Sequence, residues 1–238
     1  MSSSKAIARI AGLLYLIVVV TGFFNLIYVP SQLQVPDDAA ATVSNILASK
    51  QLFGLGIAAG VVCYTAFLLL PLVLYKLLGG INRDVAVLMV AFALVSVPIS
   101  LLNLSHKLDV LSLLGDADYL QAFTAGQLQT QVMLSLEAYR NGALISEIFW
   151  GLWLLPFGYL VFKSRFIPRV LGILLMLGCF GYLVNIVGPT LLPGYADTAI
   201  ASIVSVPSGL GEIGTCLWLL IAGVRERKSA AMAARGAG

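Results

Sequence analysis

Lys50-Gln-Leu-Phe-Gly-Leu-Gly-Ile-Ala-Ala-Gly-Val-Val-Cys-Tyr-Thr-Ala-Phe-Leu-Leu-Leu-Pro-Leu-Val-Leu-Tyr-Lys76 runs from one lysine to another without a charge between them. As a helix rising 1.5 Å per residue, it can cross a hydrocarbon core of about 30 Å, which takes about 20 apolar residues. Runs free or nearly free of charge recur between Arg9 and Pro30, Asp84 and Lys107, Arg140 and Lys163, Arg169 and Pro193, and Asp197 and Arg225. They are continuous rather than alternating, so they read as helices and not barrel strands, the other structure that satisfies its backbone in lipid. The chain is 60% hydrophobic and 11% charged, with a mean hydropathy of +0.98, against roughly 25% charged in soluble domains. We read it as an all-α integral membrane protein, a six-transmembrane-helix bundle. The spans fall at about 8–29, 52–76, 85–113, 140–163, 168–191 and 199–224 in one domain (1–228), before a short flexible tail (229–238).

The basic residues give the bundle a direction. Lys5, Arg9, Lys76, Arg83, Lys163, Arg165, Arg169, Arg225, Arg227, Lys228 and Arg235 fall at one end, and only Lys50, Lys107 and Arg140 fall elsewhere. Positive residues in short loops stay inside, so both termini are expected in the cytoplasm and the chain in the cell's inner (plasma) membrane. Asp37, Asp38, Asp109, Asp116, Asp118, Glu137 and Asp197 lie at the opposite end. The basic end suits anionic lipid headgroups, while no helix or arm is rich enough in Lys and Arg to engage nucleic acid. Lys5, Arg9 and the apolar run after them resemble a signal peptide, but no small-x-small cleavage site closes the run, which reads as the first span.

The loops carry their own signals. Asp38 can cap a short Ala-rich helix, and Thr124-Ala-Gly-Gln127 fits a capping box, followed at helical spacing by Leu128, Val132, Leu136 and Tyr139. The second helix is expected to lie on the outer membrane interface. Pro71, Pro98, Pro156 and Pro207 should kink their spans, and Pro168 suits the start of the fifth. Gly56-Ile-Ala-Ala-Gly60 permits close helix packing, within the bundle or between protomers of a homo-oligomer. Cys63, Cys179 and Cys216 form no CxxC pair and read as small packing residues.

Counting inward from the basic end at 1.5 Å per residue places Asn25, Glu147 and Asn185 at about 24 Å, Glu212 at about 20 Å, Tyr64 at about 18 Å and Asn103 near about 30 Å. Such groups must face one another or a cavity. The two acids head matching strings, Glu147-Ile-Phe-Trp-Gly-Leu-Trp-Leu-Leu155 and Glu212-Ile-Gly-Thr-Cys-Leu-Trp-Leu-Leu220, with Leu69-Leu-Pro71 and Leu154-Leu-Pro156 as a looser echo. Duplicated helical hairpins would account for both, and would set the carboxyls at nearly equal depth. On one reading Glu147 and Glu212 bind a small solute, a cation or a proton, as in transporters. On another they are helix ties bonded to Asn25, Asn185 or Tyr64. A third is a membrane-embedded enzyme acting on a lipid or quinone. At the outer end Asn103, His106, Lys107 and Arg140 form a second cluster, from which Lys107 or Arg140 could reach Glu147 or simply snorkel to the interface. With one histidine and no HExxH, P-loop or GxSxG, the sequence supports no catalytic residue, metal or cofactor.

Ala8-Arg-Ile-Ala-Gly-Leu-Leu-Tyr15, Gly151-Leu-Trp-Leu-Leu-Pro-Phe-Gly-Tyr-Leu160, Pro168-Arg-Val-Leu-Gly-Ile-Leu-Leu175 and Gly211-Glu212 with Leu217-Trp-Leu-Leu220 together resemble bacterial six-pass proteins of domain-of-unknown-function family 4386. Gly115-Asp-Ala-Asp-Tyr-Leu-Gln-Ala-Phe123 resembles that family's outer loop with one acid more than usual. The resemblance implies the six-span fold and leaves activity open. It also implies that Glu212 is the better single candidate for a site residue, because in several family members Gln stands at the place of Glu147 whereas the place of Glu212 is acidic.

Overall fold

The computed structural model describes residues 3–195 and 198–224; Asp197, the basic tail residues Arg225, Arg227, Lys228 and Arg235, and the expected tail 229–238 lie outside the described residues. Six helical runs are long and apolar enough to cross a membrane, with no strand among the described residues. The first begins as α1 (Ser3–Phe23), passes through one π-helical turn (Phe24–Tyr28) and ends as α2 (Val29–Leu33). The short α3 (Ala39–Ala48) follows, its first turn capped by the Asp38 carboxylate, which accepts from the Ala41 amide at 2.8 Å. The second run is α4 (Lys50–Leu78), and the third is α5 (Arg83–Asn103) continued past Leu104 as α6 (Ser105–Leu113).

The fourth run corrects an expectation. Thr124 and Gln127 do form a reciprocal capping box, at 3.3 and 2.8 Å, but the helix they open does not lie along the interface. It is the outer half of α7 (Ala125–Leu152), continuous with the fourth span, because no proline between Thr124 and Pro156 removes a backbone donor. Pro156 leaves the Leu152 carbonyl without its amide, and the helix turns at Trp153 before resuming as α8 (Leu154–Ser164). Pro71, Pro98 and Pro207, by contrast, sit inside helices that continue through them. The last two runs are α9 (Arg169–Leu191) and α10 (Ala199–Ile221).

The runs close a ring in chain order. Helix α1 packs on α4 and α10, α4 on α5, α5 on α7 and α8, these two on α9, and α9 on α10. The main core fills the basic half, where Leu70, Leu74, Met89, Phe157, Leu160 and Leu175 are fully buried. A separate apolar cluster at the acidic end joins Val29, Leu33, Ile46, Phe53, Val110, Val132 and Leu136, and forms a cap from α2, α3, α6 and the outer ends of α4 and α7. The Gly56 and Gly60 pair is used inside the bundle: a Cβ on Gly56 would come within 3.1 Å of Val29, and one on Gly60 within 3.0 Å of Asn25.

Candidate functional site

Two glycine-permitted crossings decide where the sixth span sits. A Cβ on Gly12 would lie 2.6 Å from the Leu220 amide, and one on Gly211 would lie 2.9 Å from the Leu175 amide, so α10 beds between the backbones of α1 and α9. That seat carries Glu212 between two phenols. Tyr15 donates to Oε2 at 3.0 Å and Tyr182 donates to Oε1 at 3.3 Å. A carboxylate has about four lone-pair positions, so about two remain open.

They open on a cavity of about 190 Å³ between α1, α4, α7, α9 and α10. Apart from Glu212, its walls are apolar or aromatic: Tyr15, Phe23, Tyr64, Phe67, Trp150, Trp153 and Tyr182, with Val18, Val19, Gly22, Leu26 and Cys63 between them. Trp153 is buried against Phe157 in a stacked pair 5.0 Å apart and meets Phe67 edge-on at 5.1 Å; Tyr64 stacks on Trp150 at 6.1 Å. Such packing fixes the ring faces in place. Phe23 lines the cavity and is 56% exposed on the flank of α1, so the wall there is one side chain thick.

The expected polar belt separates into three groups. Glu212 and Tyr64 line the cavity, but Glu147 does not, and it has no hydrogen bond among the described residues. The repeated string therefore does not give its two acids equal surroundings. The tryptophans that end it diverge too: Trp153 is fully buried, whereas half-buried Trp218 donates to the Phe166 carbonyl at 3.2 Å. The helix turn at Trp153, absent at Trp218, accompanies this difference.

The second group corrects the assignment of Asn25, Asn103 and Lys107. The Lys107 ammonium donates to the Asn25 backbone carbonyl at 3.1 Å and to its Oδ1 at 2.7 Å, and lies 4.2 Å from the centre of the Tyr139 ring. Asn25 Nδ2 donates to the Tyr139 hydroxyl at 3.0 Å, and Asn103 Nδ2 to the Tyr139 carbonyl at 2.8 Å. Asn25 lies in the π-helical turn, where the altered bonding frees a carbonyl for Lys107. Lys107 thus does not reach Glu147, and neither does Arg140, which is exposed and pairs with Glu137 at 3.2 Å. His106 faces outward with Asp109 at 3.5 Å. In the third group Asn185 Nδ2 donates to Ser205 Oγ at 2.7 Å and its Oδ1 accepts from Tyr195 at 2.7 Å, so neither bond goes to a glutamate. Among the described residues, no three His, Cys, Asp or Glu side chains gather to hold a metal.

Tyr15, Tyr139, Trp150, Trp153 and Tyr182 are not among the site residues expected from the sequence. The depth count that singled out Tyr64 would have found Tyr182, about 20 Å from Arg169 at 1.5 Å per residue. Nothing in the sequence alone would have shown that Tyr15 and Tyr182 flank Glu212 from either side.

Residues 10–223 match the sequence profile of the family described as Domain of unknown function (DUF4386). The chain belongs to this family. The match takes in every residue named at the cavity, so the Glu212 site lies wholly within the family's domain. No curated protein and no solved structure matches the chain.

Proposed function

We propose that this DUF4386 protein binds a small organic cation, such as a protonated or quaternary amine, in the cavity beside Glu212. The observation that carries the reading is one carboxylate with free lone pairs in a wall otherwise apolar and aromatic. An ammonium gains from the acid and from the ring faces together, and a desolvated cation–π contact is worth about 2 kcal/mol or more. The space holds roughly six heavy atoms at the ~30 Å³ that a water occupies in the liquid. Glu147 stands outside this site. The protein sits in the inner membrane with its basic end in the cytoplasm, and movement of the bound cation across the membrane is the activity we assign to the site.

Thermal unfolding of the detergent-purified protein tests the binding, with tetramethylammonium, butylammonium, sodium and the neutral tert-butanol as probes. Ligand that binds only the folded state raises Tm by mass action. The organic cations should raise it, tert-butanol should not, and Glu212→Gln should abolish the response while Glu147→Gln keeps it. Absence of any response in the wild type would refute the proposal. Uptake of labelled tetramethylammonium into proteoliposomes tests the transport step.

One observation favours a second reading: the two phenol bonds join α1, α9 and α10 through Glu212. If the acid is only a tie, Glu212→Gln lowers Tm and no cation shifts the wild type.

A further inference from the structure

At the basic end, the turn between α8 and α9 frames an open cleft of about 510 Å³ lined by Arg165, Phe166, Ile167, Pro168, Arg169 and Trp218. Its shape is held from three sides. Arg165 ends α8 with φ of 61°, the left-handed region that costs a non-glycine residue conformational energy and is retained where surrounding structure requires it. The Trp218 indole reaches from α10 to hold the Phe166 carbonyl at 3.2 Å, and the Arg169 guanidinium packs over Phe162, 5.5 Å from the ring centre. The Arg169 guanidinium thus stands at a fixed place on the rim, and the Arg165 backbone is fixed beside it with its side chain exposed.

Neither has a carboxylate within ion-pair distance among the described residues, and the only acid among the described residues at this end is Asp84, against Lys5, Arg9, Lys76, Arg83, Lys163, Arg165 and Arg169. The cleft also lies where two spans leave the apolar region, with an indole beside it, at the level of lipid headgroups. Guanidinium forks match phosphate oxygens in geometry and charge.

We propose that this cleft binds a phosphate group, supplied by the headgroup of an anionic phospholipid. The site is separate from the Glu212 cavity and stands or falls independently of it.

Full-length protein in a neutral detergent is heated with short-chain phosphatidylglycerol, short-chain phosphatidylcholine or inorganic phosphate. Phosphatidylglycerol should raise Tm, and the Arg165→Gln, Arg169→Gln double variant should need roughly tenfold more lipid for the same rise, the change expected for a lost charge-assisted bond of about 1.4 kcal/mol. Arg83→Gln, which removes a charge from the same end outside the cleft, should respond as the wild type. Arg165→Gly keeps the test valid should the double variant fold poorly, because glycine suits the left-handed backbone while the guanidinium is lost. An equal rise with inorganic phosphate supports the phosphate site and reassigns its source to the free ion. Equal rises with phosphatidylcholine and phosphatidylglycerol, or a response unchanged in both cleft variants, overturn the proposal.

Discussion

Lys107 shows what a buried charge can do without an acid. Its ammonium has three donors, and the two Asn25 oxygens and the Tyr139 ring meet them all. Removing it leaves two buried acceptors bare, and each orphan costs about 1–3 kcal/mol. Lys107→Met should therefore lower stability by about 2–6 kcal/mol in detergent unfolding. Adding Asn25→Leu should return part of that loss, since it removes the orphaned Oδ1, while the backbone carbonyl stays bare. A double variant that is the sum of two large losses would argue against the clamp. The residue types were legible beforehand, because an Asn, a Lys and a Glu in apolar runs announce themselves. Their partners were not. Helical rise gives depth but not azimuth, so groups at one level were placed in one belt although they face three different ways.

Element by element, the sequence was most readable where a local rule suffices. Asp38 and the Thr124–Gln127 box mark helix starts that depend on nothing distant, and the charge-free runs mark the spans. The turn at Trp153 follows the same kind of rule, since Pro156 was expected to kink its span, and the sequence was least readable at the π-helical turn. The crossing of α8 and α9 illustrates how narrow packing across the bundle is. A Cβ on Gly172 would come 2.6 Å from the Gly158 carbonyl and 2.7 Å from the Phe162 amide, both backbone atoms that cannot step aside. Gly172→Ala should cost about 1–3 kcal/mol by overpacking. Gly54→Ala, in α4 with nothing within 4 Å, should be neutral or gain up to about 1 kcal/mol from reduced chain entropy. The pair is compared by thermal unfolding, and similar losses at both positions would mean that glycine content, not the crossing, governs stability.

For the molecule as a whole, the asymmetry of charge is the feature on which the proposed orientation rests. Seven described cations crowd one end and the described acids, Asp84 and the half-buried Glu147 and Glu212 apart, gather at the other. A green fluorescent protein fused after residue 228 should fluoresce and an alkaline phosphatase fused there should stay inactive, as the positive-inside rule requires. The reverse result would invert the bundle. The six-helix class follows from hydropathy, but the ring order of the spans and the cap at the acidic end were not foreseen, the cap because its apolar residues come from segments that each look like ordinary loop or span.

The hydrogen bond between Tyr15 and Glu212 joins residues 197 apart in the chain. By contrast, the Lys107 clamp and the cap draw on residues between Asn25 and Tyr139. During synthesis the outer half of the molecule can close once the fourth span has emerged. The cavity must wait for α10, so the pocket beside Glu212 forms after the cap, and a chain truncated before α10 would keep the clamp and the cap while lacking the cavity.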